Sequence, residues 1–437
     1  MIEPNFLFLF FITMTVITLC LFIFFQGDIL QPALLMTGSM TFSSLMAYIF
    51  MDKWGLPFSL DAYILLTIAL CMFIFGSLFC SVKGFGRCKI KISFYNFRYE
   101  PRIWLSLLLI IIMAILAFFS FQEMYNLSVS LGNTEGYANI IKTIRPAIEN
   151  QSLLLSRWMN YRQSIALAIA SIFSYMFLFN VFYNRFKYID LLLLFPIVMY
   201  IPFMILTTGR MAMMSFGIFF LVLGMLLYQK HKGYSKKSTC HLVVFFIGAS
   251  IFFIIMFFFM GILTGKMATE NHTFSMILAH YSGVSLSAFD KAIHSVYTNN
   301  GFIGSTTLLG LYRILGRIGI SVPQVDIFLP FVNFNGIDTN VYTAEWRYYK
   351  DFGIFGMCAI MWIMGASYTF FYSCIKYSSF SAFFLILYSV IAFPLFLSSI
   401  DERFFLDLFG TAILYDILLI LLFKYLIIDK SKKTINR

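Results

Sequence analysis

The sequence predicts an all-α polytopic membrane protein of about eleven transmembrane helices (ten to twelve), forming a single integral domain over 1–437. Three observations carry this. Only 12% of residues are charged and 60% are hydrophobic, with 55 Phe in 437 residues, whereas about a quarter of an ordinary soluble domain is charged. Apolar runs of roughly 18 to 25 residues recur along the chain, each long enough to cross a hydrocarbon core of about 30 Å. Those runs are continuously apolar rather than alternating, which excludes a β-barrel.

The runs fall at about 5–25, 33–51, 58–80, 103–121, 163–183, 188–207, 211–228, 241–263, 353–375, 380–399 and 404–428. The first lacks a basic n-region and a small-residue cleavage site, so it reads as a retained span. The second contains MTGSMTFSSLMAY, whose small and hydroxyl residues suit contact with other helices more than with lipid. Short basic segments orient the set. One is 81–102, with Lys83, Arg87, Lys89, Lys91, Arg98 and Arg102; a second is 229–238, with Lys230, Lys232, Lys236 and Lys237; the third is the tail DKSKKTINR. Four spans separate each from the next, so all three can face the cytoplasm together, placing the C-terminus inside and the N-terminus outside. The net charge of +11 is then orienting charge, and no nucleic-acid partner is expected. Five of the seven cysteines, Cys20, Cys71, Cys80, Cys358 and Cys374, fall inside apolar runs, while Cys88 and Cys240 fall in or beside basic loops. That leaves no disulfide framework and no metal-ligand spacing.

Two long loops, 122–162 and 264–352, then face outward. Loops of that length are functional or disordered, and the second keeps apolar residues at helical spacing in MILAHYSGVSLSAFDKAI and TTLLGLYRILGRI. They are expected to be short amphipathic helices at the interface, with Arg313 and Arg317 four apart on one face as substrate-binding candidates.

Charge inside or beside a bilayer costs on the order of 2.5–3.5 kcal/mol per residue, so each such residue needs an account. Asp61, Asp190, Asp407 and Asp416 read as paired, snorkelling or end-capping. Arg210 lies in TTGR, the whole turn between two spans; Gly209 would allow the tight backbone, Thr207 and Thr208 offer hydroxyls, and a guanidinium there suits a lipid phosphate. The stretch NVYTAEWRYYKDFG (340–353) stands before an apolar run. If it continues that helix backward, Tyr342, Trp346 and Tyr349 share one face, a stacking platform for sugar rings or an interfacial aromatic belt. Arg347 and Asp351 share another. His280, Glu345 and Asp351 are the candidates for a proton-handling group. Arg403, in the outer turn SSIDERFF, is an anion-binding candidate or the partner of Asp401 or Glu402. No Walker A loop, dinucleotide glycine pattern or HExxH is present, so ATP-driven transport and metalloprotease chemistry have no support.

TTGR at a tight outer turn, a long late outer loop and NVYTAEWRYYKDFGIFG leading into a span together resemble the Wzy-type O-antigen polymerases, or oligosaccharide repeat unit polymerases. The resemblance implies a multi-pass enzyme of the bacterial inner membrane, active at the periplasmic face. It would be a metal-independent, cofactor-free glycosyltransferase of lipopolysaccharide and surface polysaccharide biosynthesis. Its donor and acceptor would be undecaprenyl-pyrophosphate-linked oligosaccharides, with a chain-length regulator as a further partner. The family's outer-loop arginines carry over to Arg210 and Arg347. The chain departs from some members in having Leu221 and Cys358, not Gly, eleven residues beyond these arginines. An O-antigen ligase is the alternative in the same class. A lipid-linked oligosaccharide flippase or transporter is the alternative in another, although no internal repeat is visible.

Overall fold

A computed structural model describes residues 5–83, 97–100, 102–149, 155–184, 186–233, 236–263, 274–295, 302–320, 329–377 and 381–435, with 153 and 322 between them. Arg87, Lys89 and Lys91 of the first basic segment lie outside these residues. Among the described residues 79% are helical, and nine helices are long and apolar enough to cross a membrane. Two further apolar stretches, Ser238–Ala249 and Ala382–Leu397, are shorter. The molecule is therefore an all-α polytopic membrane protein, with two small two-stranded ribbons added.

In chain order the helices begin with α1 (Phe6–Phe24), α2 (Pro32–Trp54), α3 (Leu60–Lys83), α4 (Ile103–Ser130), α5 (Ile140–Glu149) and α6 (Arg157–Tyr183). Next come α7 (Leu191–Met199), α8 (Ile201–Leu206), α9 (Met211–Lys232), α10 (Lys236–Leu263), α11 (Phe274–Ser282) and α12 (Val284–Ile293). The last are α13 (Leu309–Arg317), α14 (Ala344–Tyr377), α15 (Ala382–Ile391), α16 (Phe393–Leu397), α17 (Phe404–Leu408) and α18 (Thr411–Phe423). Strands β1 (Phe97–Glu100) and β4 (Lys432–Ile435) pair, as do β2 (Val332–Phe334) and β3 (Ile337–Thr339), both antiparallel. The boundaries follow local chemistry. Asn5 and Ser156 cap α1 and α6 through their side chains, Pro32 opens α2, and Gly55 closes it in the left-handed region.

The fold has two compact units built from interleaved segments. Unit 1 is Met1–Lys91, Asn271–Ser378 and Ile391–Thr411; unit 2 is Ile92–Glu270, Ser379–Val390 and Ala412–Arg437.

In unit 1, α3 and α14 pack so closely that backbone meets backbone. A Cβ on Gly76 would overlap the Trp362 carbonyl, and one on Gly365 would overlap that of Phe73. The Ser77 and Thr369 hydroxyls bond across the same seam at 2.6 Å, the small-residue packing that suits helices in lipid. The hydroxyl-rich α2 is likewise an interior helix: Thr37, Met40, Ser43, Ser44 and Ala47 are buried. Two elements enter this unit and turn back. The pair α11–α12 starts with Met276 beside Lys53, reaches Ser43 and Ala47 at Ser282 and Gly283, and returns to Ser59 at Asp290. Lys53 to Ser43 is about 15 Å of helix at 1.5 Å per residue. Gly283 is required at the apex because a Cβ there would strike the Ala47 backbone nitrogen.

The second reversal corrects the sequence reading. α14 is not one continuous helix, because Gly353 sits at φ 66°, ψ −168° within it. Tyr348 Oη consequently lies 3.4 Å from Met364 Sδ, although sixteen residues of straight helix would separate them by about 24 Å. The charged stretch folds back into the unit instead of extending the span outward.

In unit 2, the basic segments meet at one end. β1 pairs with the C-terminal β4, Asn180 of α6 brackets the Tyr99 backbone at 3.0 and 2.9 Å, and Tyr183 rests on His231 at the end of α9. Arg98 and Asp190 form a buried ion pair there, so the pairing expected of Asp190 holds. At the other end α4 and α6 extend into the loop read as 122–162, and the intervening α5 packs Ile140 and Ile144 against Met124, Met159 and Leu206. The turn carrying Arg210 follows Leu206 directly.

Candidate functional site

The charged residues of unit 1 converge where three breaks in helical structure meet: the start of α14, the turn 398–403 between α16 and α17, and the segment 303–308 before α13. Ala344 N donates to the Ser398 carbonyl at 2.8 Å, and Ser285 of α12 donates to the Ser399 carbonyl. Ser39 of α2 donates to the Phe396 carbonyl at 2.9 Å. These hydroxyls satisfy carbonyls that a broken helix leaves open, which is how irregular backbone is tolerated at membrane depth.

Within that frame Arg347 is 3% exposed; its Nη1 donates to the Thr306 carbonyl at 3.2 Å, and its Nη2 lies 4.0 Å from Asp401 Oδ1. Arg403 holds the other oxygen of Asp401 at 3.0 Å and Asp407 at 3.6 Å. The pairing expected of Asp407 is thus present, and of the two acids beside Arg403 it is Asp401 that binds it. Asp351 does not serve Arg347. Its Oδ2 accepts the Thr306 and Thr307 amides at 3.0 and 2.6 Å, tying 303–308 to α14.

Glu402 is buried and accepts from Tyr348 Oη at 2.8 Å and from the Phe405 and Leu406 amides at 2.7 and 3.1 Å. Burial pushes its carboxyl up to about 7, against those three donated bonds and the nearby Arg347 charge, all of which favour the anion. Glu345 is fully buried, with the Thr343 hydroxyl beside it and neither carboxylate oxygen in a hydrogen bond of good geometry.

The remaining candidates separate by position. Tyr342 and Trp346 do stack, with centroids 6.2 Å apart, and Trp346 and Tyr349 lie 6.3 Å apart. Tyr342 and Trp346 are each 1% exposed, however, with Phe289 against Trp346 and the Tyr342 hydroxyl on the Pro330 carbonyl. They are core rather than an open platform for a sugar, because the fold-back at Gly353 turns that face inward. Tyr349 is half-buried. His280 sits on α11 with Nε2 3.1 Å from the Asp338 carbonyl, away from the arginines' acids. Arg313 and Arg317 are exposed on α13, where Gly310 abuts the α17 backbone and Arg317 donates to Thr411 at 2.7 Å.

In unit 2, Arg210 is buried and stands at the N-terminus of α9. The turn before it is tight, but not through Gly209: Thr208 takes the left-handed conformation at φ 58°, costly for a β-branched residue. Thr207 donates to the Met204 carbonyl at 2.7 Å and so stabilises the turn rather than facing a ligand. A guanidinium, a helix N-terminus and backbone strain coincide at this one place.

Sequence reasoning missed Asp401, Glu402 and Tyr348 as parts of the site. SSIDERFF does signal them, since three consecutive charges between apolar runs need partners, but the partners lie about fifty residues away in sequence. Among the described residues no cluster of three metal-ligating side chains occurs. Compared with known proteins, the chain matches no family model, no curated protein and no solved structure.

Proposed function

We propose that this protein is a membrane glycosyltransferase that polymerises oligosaccharide repeats carried on undecaprenyl pyrophosphate, at the periplasmic face of a bacterial inner membrane. The observation that carries the reading is the buried Arg347 beside Arg403, inside a chain otherwise built to exclude charge. Ionisable groups at membrane depth mark function by default. A pyrophosphate leaving group gains negative charge as the glycosidic bond breaks, and preorganised guanidinium groups stabilise that change more than they stabilise the ground state. Arg210, on its strained turn in unit 2, is a separate guanidinium candidate for anion binding. Glu345 and Glu402 are the buried carboxyls placed to take the proton of an attacking sugar hydroxyl, and burial raises the pKa of Glu402 toward the range of a general base. The resemblance of TTGR and NVYTAEWRYYKDFGIFG to the polymerases supports the same reaction class.

The test is the surface polysaccharide run on a gel. Deleting the gene is expected to leave a single repeat on the glycolipid in place of a ladder of lengths. Arg347→Ala and Arg210→Ala, at normal membrane levels, are each expected to lower polymerisation by about 10²–10³. Loss of all glycan from the lipid core would favour a ligase or flippase instead. A full ladder from both variants would refute the assignment of the arginines.

A further inference from the structure

Asp416 stands within TAILYDILLILLF, the apolar sequence of α18 in unit 2, and is only 9% exposed. The pairing or end-capping expected of it is not found. Among the described residues no basic side chain compensates it, and its Oδ1 is buried without a hydrogen bond. The neighbouring cation of α6, Arg162, is taken by Glu123 of α4. What surrounds the carboxyl is neutral and polar. α18 docks on α6 through Tyr415 and Tyr161, whose rings are 5.0 Å apart and whose hydroxyls lie 3.4 Å apart. One turn along α6, the Ser164 hydroxyl approaches the Asp416 carboxyl. Tyr200, at the break between α7 and α8, brings a second hydroxyl near it and is held by Gln163 of α6. Asp416 lies about 7.5 Å of helix beyond Thr411, and Ser164 about 10 Å beyond Arg157. The group is thus set below the end of unit 2 that carries α5 and the Arg210 turn.

We infer that Asp416 is an intramembrane proton-binding site, exchanging one proton with the side of the membrane that carries α5 and the Arg210 turn. An ionised carboxyl with an unsatisfied oxygen is strongly disfavoured at that depth, and the same group holding a proton is not. Ser164 and Tyr200 suit both states, because a hydroxyl donates to the carboxylate and accepts from the acid. Ionisable side chains turned into a packed membrane interior mark proton relays and ion paths. Proton occupancy decides whether α18 carries a charge against α6, so the packing of unit 2 responds to pH on that side. None of these residues takes part in the proposed polymerisation, and the site stands whether or not that reading holds.

Full-length protein in phosphatidylcholine nanodiscs, treated with dicyclohexylcarbodiimide, tests it. This lipid-soluble reagent adds to a carboxylic acid and not to a carboxylate. The acid proton passes to a reagent nitrogen and the carboxyl oxygen bonds to the central carbon. An oxygen-to-nitrogen acyl shift then leaves a stable N-acylurea, with no leaving group. Peptide mass spectrometry is expected to find the adduct at Asp416, falling at least tenfold from pH 6 to pH 9 and absent from Asp416→Asn. Tyr161, Tyr200 and Tyr415, the titratable side chains around the carboxyl, are phenols, which ordinarily ionise only near 10. The wild-type measurement stands by itself should the variant fail to fold. No adduct at Asp416 in folded wild type, or labelling that does not change with pH, overturns the proton site. Protection by sodium chloride but not by choline chloride at equal concentration overturns the proton as occupant and assigns the site to sodium.

Discussion

Glu402 carries the clearest consequence at the scale of single residues. Its carboxyl titrates near 7 in the folded protein against 4.5 when free, because burial disfavours the charged form more than Tyr348 and two backbone amides favour it. A folded pKa above the unfolded one means that this group's contribution to stability is complete below about pH 4.5. It is lost as pH rises through about 7. Wild-type protein in detergent is therefore expected to melt lower at pH 8 than at pH 5, by up to about 3 kcal/mol from this residue. Glu402→Gln should flatten that dependence, and an equally steep slope in the variant would show that another group causes it. The charges at Arg347, Arg403 and Arg210 were legible in the sequence because each is conspicuous in an apolar context. Glu402 and Asp401 were legible only as neighbours of Arg403. What gives them a role is Tyr348 and Arg347, and no short-range pattern connects those positions.

Among elements, the seam between α3 and α14 and the fold-back at Gly353 decide the architecture. Gly365 packs directly on the Phe73 carbonyl, so Gly365→Val must separate the two helices. The expected result is a loss of several kcal/mol, in the range of severe core overpacking, seen as aggregation or a sharply lowered melting temperature on solubilisation. Gly38→Ala, where an added Cβ meets nothing within 4 Å, is the control and should be near neutral. Equal behaviour of the two variants would mean that the seam is not tightly packed. Helix periodicity identified α11 to α13 in the late loop, and the small and hydroxyl residues of MTGSMTFSSLMAY pointed to the interior character of α2. It did not identify the reversal within α14. A glycine inside an apolar pattern is compatible with a straight helix, and only the packing of Tyr348 on Met364 selects the turned conformation.

For the whole molecule, the pattern of basic segments agrees with the structure of unit 2. The strand at Phe97–Glu100, the C-terminal strand and the end of α9 gather at one end, and α5 with the Arg210 turn lies at the other. Single cysteines placed in a cysteine-free background at Lys232, Lys430 and Thr134 test this with a membrane-impermeant thiol reagent. The first two should label from the same side and the third from the opposite side. Thr134 and Lys430 labelling from one side would contradict the arrangement.

Composition and run length alone determined that this chain lives in a bilayer as helices, because burying uncharged runs of such length leaves few other solutions in lipid. Charge placement likewise determined which ends lie together. Only the tertiary structure decided that the charged stretch at the start of α14 faces inward, and that its arginine meets the acids of a turn more than fifty residues later. The reason is physical. Partition into lipid is summed residue by residue along the chain, whereas pairing of buried charges depends on distances that a single glycine's backbone angles can reverse.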